Sequence, residues 1–132
     1  MKYIFDTNMV SDWMRGEPGI LSRLSVHSPS ELTMAAITLA EVLYGIEKSP
    51  HRKMERTQKV EAIRSVVKIL AFDEKAAGDY ARVRCHLEAT GAALSERDAQ
   101  IAATALAHSL VVVTHNVREF QRVPTLGVED WR

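Results

Sequence analysis

Apolar positions along the chain switch period repeatedly, and each switch marks an element. Lys2-Tyr3-Ile4-Phe5 is a short β-prone run that predicts a buried strand. Behind Asp6-Thr7-Asn8, the residues Met9, Val10, Trp13 and Met14 recur at helical spacing. Gly16-Glu17-Pro18-Gly19 interrupts that pattern, and Pro18 is placed to open a second short helix carrying Leu21 and Leu24. After a loop at His27-Ser28-Pro29-Ser30, the run from Leu32 to Ile37 predicts a second strand. Thr38 reads as the N-cap of the next helix, with Glu41 completing a capping box and Leu39, Val42, Leu43 and Ile46 forming one apolar stripe. Ser49-Pro50 ends it, and a charged helix over residues 53–68 follows with Val60, Ile63 and Val67 on one face. Ile69 to Phe72 predicts a third strand. Asp73 caps a helix that runs to about Thr90 and stops at Gly91, and Ser95 caps another from Glu96 to His108. Leu110-Val111-Val112-Val113 has the β-branched character of a strand buried on both faces. A helical turn around Arg118 and a last strand near Val128 complete the pattern.

Strands that alternate with helices, and are apolar without a polar face, predict an α/β domain. The expected architecture is a three-layer sandwich with a central, mostly parallel sheet flanked by helices, formed as a single domain over residues 1–132. Composition agrees: 46% hydrophobic and 26% charged residues in 132 suit a globular core and exclude intrinsic disorder. Lys plus Arg and Asp plus Glu both number 17, so a nucleic-acid partner would be held by local charge. The lone Cys85 excludes an internal disulfide and a Cys-cluster zinc site. No apolar run approaches the ~18–20 residues needed to cross a bilayer, and only five residues precede Asp6, so no membrane association and a cytoplasmic location are expected.

In an open parallel sheet, ligands bind beyond the carboxyl ends of the strands. Asp6 closes the first strand, Glu41 and Asp98 fall in first helical turns, and Asn116 and Glu119 follow the strand ending at Val113. Each has a bland explanation: Glu41 and Asp98 as N3 capping acids, Asp6 as a turn residue, Glu119 as a solvated acid. Their conjunction at one edge is the informative feature. Two carboxylates ~4 Å apart repel by about 4 kcal/mol near a protein surface, so converging acids call for a cation. Mg2+ accepts one or two carboxylates, keeps several waters and takes phosphate oxygen, which points to metal-assisted phosphodiester hydrolysis.

These residues also carry a family resemblance over nearly the whole chain. It rests on Phe5-Asp6-Thr7-Asn8, Thr38-Leu39-Ala40-Glu41-Val42-Leu43-Tyr44-Gly45, Asp98 followed by Ile101-Ala102-Ala103, and Val113-Thr114-His115-Asn116-Val117-Arg118-Glu119-Phe120. The chain resembles the PIN-domain ribonucleases and, within them, the VapC-type toxins of bacterial toxin–antitoxin pairs. The resemblance implies that Asp6, Glu41 and Asp98 bind Mg2+ or Mn2+, with Glu119 as a fourth catalytic acid. Many members place an Asp where this chain has Asn116, which brings no negative charge and is expected to orient neighbouring groups, as are Asn8 and Thr114. It further implies hydrolysis of RNA, transfer RNA among the substrates, by metal-activated water, leaving a 5′-phosphate and a 3′-hydroxyl. Homodimerisation and inhibition by a small VapB-type antitoxin are implied as well. The alternative, a catalytically silent PIN-like RNA- or protein-binding module, draws on Asn116.

Other readings are weaker. A receiver domain wants an acidic pair after its first strand, and an aspartyl phosphatase wants Asp-x-Asp where this chain has Asp6-Thr7-Asn8. His51-Arg52-Lys53-Met54-Glu55-Arg56, with Lys59 and Arg64, reads either as an RNA-binding rim or as a solvated helix face. Arg97 either touches phosphate or pairs with Glu96 or Asp98 and stays outside the catalytic set. His115 and His51 are the histidines to watch near substrate. Trp131 is expected to pack back on the sheet.

Overall fold

A computed structural model describes residues 1–132. Five short strands, β1 (Tyr3–Phe5), β2 (Leu32–Ala35), β3 (Lys68–Leu70), β4 (Val111–Val113) and β5 (Gly127–Glu129), pair in the order β3-β2-β1-β4-β5 with every neighbour parallel. The inner strands are apolar throughout because helices cover both faces, and period 2 then decides which layer each side chain enters. Tyr3, Phe5, Leu32, Met34 and Val113 enter one core with Met9, Val10, Leu39, Val42, Ile46, Val60 and Ile63. Ile4, Ala35, Leu110 and Val112 enter the other with Val83, Leu87, Ile101, Ala102, Ala105 and Phe120.

The first layer is therefore made by α1 (Thr7–Arg15), α2 (Pro18–Leu24), α3 (Ala36–Glu47) and α4 (Lys53–Arg64), and the second by α5 (Glu74–Ala89), α6 (Glu96–Ala107) and α7 (Val117–Phe120). This is the three-layer architecture expected, with a fully parallel sheet. The chain fills β1, β2 and β3 outward on one side, then crosses to place β4 and β5 on the other side of β1. That reversal puts a switch point between β1 and β4, where the loops beyond the strand ends diverge and leave a crevice.

Local signals held at most helix ends. Asp6 caps α1 by accepting from the Met9 N–H at 3.0 Å, and Asp73 and Ser95 do the same for α5 and α6. Gly16 (φ 74°) closes α1 in the left-handed region, where a side chain would be strained. Four expectations are corrected. Strand β2 stops at Ala35, α4 stops at Arg64, and β3 spans Lys68–Leu70 instead of Ile69–Phe72. Thr38 is not an N-cap: α3 begins two residues earlier behind an extended Ala35, with no side-chain cap. Thr38 lies in the first turn, fully buried with its hydroxyl unpaired. The capping box is thus absent, and Glu41 falls in the second turn with its carboxylate free for other partners.

The C-terminal tail does pack back. Trp131 is 2% exposed, edge-on to Tyr3 and Phe5 and stacked on His27. Its Nε1 donates to Glu129 Oε1 at 3.0 Å, which gives the buried indole its partner.

Candidate active site

The crevice beyond β1 and β4 holds a pocket of about 210 Å3 lined by Asp6, Thr7, Asn8, Glu41, Ser95, Arg97, Asp98 and Asn116. No hydrophobic side chain lines it. Three of the four expected acids therefore share one wall, carried there from residues far apart in sequence by the common direction of the strands and helix N-termini.

Asp6 is 2% exposed and anchored at both oxygens. Oδ1 caps α1, and Oδ2 accepts from the Thr114 hydroxyl at 2.5 Å. Thr114, fully buried after β4, is held in turn by its N–H on Glu129 O (2.9 Å) and accepts from the Asn116 N–H at its hydroxyl (2.9 Å). Glu41 accepts from the Thr7 hydroxyl at 3.0 Å and faces the Arg97 guanidinium at 3.5 Å. Asp98 has its N–H capped by Ser95 Oγ at 3.1 Å, so the capping motif is real here and leaves the carboxylate on the pocket.

Electrostatics separate these acids from surface carboxylates. Burial pushes the Asp6 carboxyl above its ordinary range, the Asp98 charge adds to that push, and the bonds from Thr114 and Met9 oppose it. Burial likewise raises Asp98, with the charges of Glu41 and Glu119 adding to it against the Ser95 bond. Asp6 thus feels the charge of Asp98, and Asp98 feels those of Glu41 and Glu119. The acids are not drawn into a ready cluster of three. Hard oxygen donors without Cys or His, on a polar wall, fit Mg2+ or Mn2+, which take one or two carboxylates and complete their shells with water.

Of the remaining expected residues, Asn116 lines the pocket and Asn8 lines it from an exposed position. Glu119, half-buried in α7, does not line it and acts on it through charge. Arg97 pairs with Glu41, a partner distant in sequence, and with neither of the neighbouring acids Glu96 and Asp98. Thr7 stands in the Phe5–Asn8 motif without a role assigned from sequence, and its bond to Glu41 gives it one.

A second groove of about 350 Å3 adjoins this pocket, sharing Thr7 and Glu41 and lined also by Met14, Arg15, Arg56 and Lys59. The basic stretch is partly neutralised: Arg52 and Lys59 pair with Glu55, Lys53 with Glu47 and Arg64 with Glu61. Arg56 instead donates to the Gly45 and Ser49 carbonyls at the end of α3, keeping its charge over the groove. His51 is exposed and outside both pockets. No helix is long and apolar enough to cross a membrane.

Comparisons with known proteins agree with this geometry. The PIN domain family model matches residues 3–126. The tRNA(fMet)-specific endonuclease VapC of Salmonella typhimurium is 34% identical over 133 residues, spanning 99% of this chain and 98% of that protein. Ribonuclease VapC2 of Haemophilus influenzae is 34% identical over 132 residues with the same coverage. Among solved structures, DNA-bound VapBC from Salmonella typhimurium superposes with a TM-score of 0.92 at 33% identity, over 100% of this chain and 99% of that one. FitAcB from Neisseria gonorrhoeae does so with a TM-score of 0.87 at 29% identity, over 97% and 96%. Family match, full-length relatives and an acidic pocket at the switch point of a parallel sheet converge: this chain belongs to the PIN-domain family, and within it to the VapC-type nucleases.

Proposed function

We propose that this chain is a divalent-metal-dependent endoribonuclease, the toxin of a toxin–antitoxin pair, acting in the cytoplasm as a single nuclease domain over residues 1–132. The observation that carries the reading is the meeting of Asp6, Glu41 and Asp98 in one wholly polar pocket, with Asp6 and Asp98 raised by burial and by neighbouring negative charge. Such a site is short of positive charge in the way a cation-binding site must be.

Asp6, Asp98 and Glu41 would hold Mg2+ or Mn2+, with Glu119 adding negative charge from behind Asp98. When bound, the metal supplies Lewis acidity toward a phosphate oxygen and acidifies water. The chain's own residues do the positioning. Thr114 and the α1 N-terminus fix the two oxygens of Asp6, and Thr7 holds Glu41. Asn116 presents an amide to the pocket without adding charge. Arg97, exposed beside Glu41, faces the place where a phosphate would enter. Arg56, the cation of the adjoining groove that pairs with no carboxylate, suits the backbone of a flanking RNA strand. Transfer RNA is the substrate class named for a relative. A small VapB-type antitoxin, which solved relatives carry in VapBC complexes, would inhibit by covering groove and pocket together, and the toxin would act as a homodimer.

The test is direct. With Mg2+, the purified wild-type protein cleaves a structured RNA to 5′-phosphate and 3′-hydroxyl ends, and folded Asp6→Asn does not. Equal cleavage by the two proteins rejects the assignment.

A further inference from the structure

The loop after β4 faces two ways. Thr114 and Asn116 serve the acidic pocket, while His115 between them turns to α1 and the C-terminal tail. Its Nε2 lies 2.5 Å from Asp12 Oδ2 and its Nδ1 lies 3.0 Å from Asp130 Oδ1. An ionised carboxylate only accepts, so both ring nitrogens must carry hydrogen, which is the imidazolium form.

The surroundings support that form. Asp12 is 2% exposed and also takes the Arg15 guanidinium, with Arg132 Nε 4.0 Å away. Asp130 accepts from the Arg132 N–H at 3.0 Å. The charged groups that face His115 are thus Asp12 and Arg15 from α1, Asp130 and Arg132 from the tail, and Asp6 at the head of α1. Burial alone would favour the neutral ring; the bonds to Asp12 and Asp130 outweigh it and raise the His115 pKa above its ordinary value.

His115 sits inside the bonded chain that orients the pocket. On one side of it, Thr114 bonds Glu129 by its backbone and Asp6 by its hydroxyl; on the other, the Asn116 N–H returns to that same hydroxyl. The ring reaches the helix that Asp6 caps and the tail that leaves β5, so it closes the loop, α1 and the tail into one bonded unit.

We infer that His115 is a positioning residue of the nuclease centre: its ring, clamped between Asp12 and Asp130, fixes the Thr114–Asn116 loop against α1 and so sets the orientation of the Asp6 carboxylate and of Asn116. This rests on the reading of the pocket as a nuclease centre.

Four measurements on the full-length protein test it. In metal-free wild type at about pH 7, nitrogen NMR of His115 finds both ring nitrogens protonated; a neutral ring overturns the clamp. His115→Leu lowers kcat by about tenfold or more and leaves KM for RNA within about twofold, the split produced by misplaced reacting groups, and it shifts the Thr114 and Asn116 amide signals. His115→Gln, whose amide carries two N–H donors, recovers most of the lost kcat, which a purely structural loss would not do. Asp130→Ala removes one arm of the clamp at a half-exposed position, and its kcat falls several-fold with KM unchanged, which decides the matter if His115→Leu does not fold. Wild-type kcat in His115→Leu or in Asp130→Ala, or a loss that tracks melting temperature and that Gln does not repair, overturns the inference. A wild type that cleaves no RNA but keeps the protonated ring and the loop shifts refutes the nuclease reading and leaves the clamp standing.

Discussion

Two groups of carboxylates lie on either side of one short loop and are treated oppositely by the fold. In the pocket, Asp6, Glu41 and Asp98 have one guanidinium among them, and burial with mutual charge holds Asp6 and Asp98 above the ordinary carboxylate range. Beside it, Asp12 is as inaccessible to solvent as Asp6, though it lies at shallower depth. Burial works against its charge too, but the His115 bond and the charges of Arg15 and Arg132 outweigh that, and its pKa is lowered. Burial opposes the charge in both groups but weighs less on Asp12, which lies at shallower depth than Asp6. The cations supplied by the chain then tip the balance there. Where the sequence provides its own counter-ions, the acids hold the structure together; where it withholds them, the acids stay short of positive charge, as the proposed metal site requires.

The comparison can be broken at either end. The largest effect is on cleavage: Asp98→Asn lowers the rate by on the order of a hundredfold or more, because metal-supplied charge is worth several kcal/mol and each ~1.4 kcal/mol is a factor of ten. Glu119→Gln, acting on Asp98 through charge alone, has a much smaller effect in the same assay. Next, Mg2+ or Mn2+ at a hundredfold excess over Kd stabilises the wild type by about 2.7 kcal/mol in a melting experiment. That gain disappears in Asp6→Asn and persists in Asp12→Asn. Third, Asp12→Asn destabilises the fold by about 1–3 kcal/mol, since it leaves the His115 ring and the guanidiniums without their shared partner. Asp98→Asn has the opposite sign without metal and raises the melting temperature by a few degrees. A pair of variants that shift melting in the same direction would undo the contrast.

The smallest effect is in pH dependence. His115 is raised above 6.5 in the fold, so its contribution is complete below 6.5 and is lost as pH rises through the raised value. Asp12 is lowered below 3.8, so its contribution is present above 3.8 and is lost as pH falls through the lowered value. The stability gap between wild type and His115→Leu is therefore widest between these limits and narrows toward alkaline pH. Asp6 and Asp98 run opposite to Asp12: their ionisation penalty is absent below 3.8 and is complete once pH has risen through their raised values. Melting curves across the pH range separate the two.

Much of this was legible along the chain, for specific reasons. The runs Tyr3–Phe5 and Val111–Val113 announce buried parallel strands because only a two-sided cover tolerates apolar residues at every position. Asp6 and Asp98 were found because helix caps and strand ends are local events that also face the ligand-binding edge. Glu41 was found for a partly mistaken reason. Thr38-x-x-Glu41 looks like a capping box, yet the helix starts earlier and Thr38 faces the core, so tertiary burial overrode a local hydrogen bond. For Arg97 the linear order offers only the neighbours Glu96 and Asp98 as ion-pair partners, and the fold supplies Glu41 instead.

The order of apolar and polar residues by itself determined the element types, the covered parallel sheet and the presence of acids at its carboxyl edge, because periodicity, caps and strand composition act over a few residues. Only the tertiary structure decided which acids were left without a cation. Asp12 and His115 meet across 103 positions, Thr114 and Asp6 across 108, and Thr7 and Glu41 across 34. Charge compensation is a matter of distance in space and of burial, and neither can be counted along a chain.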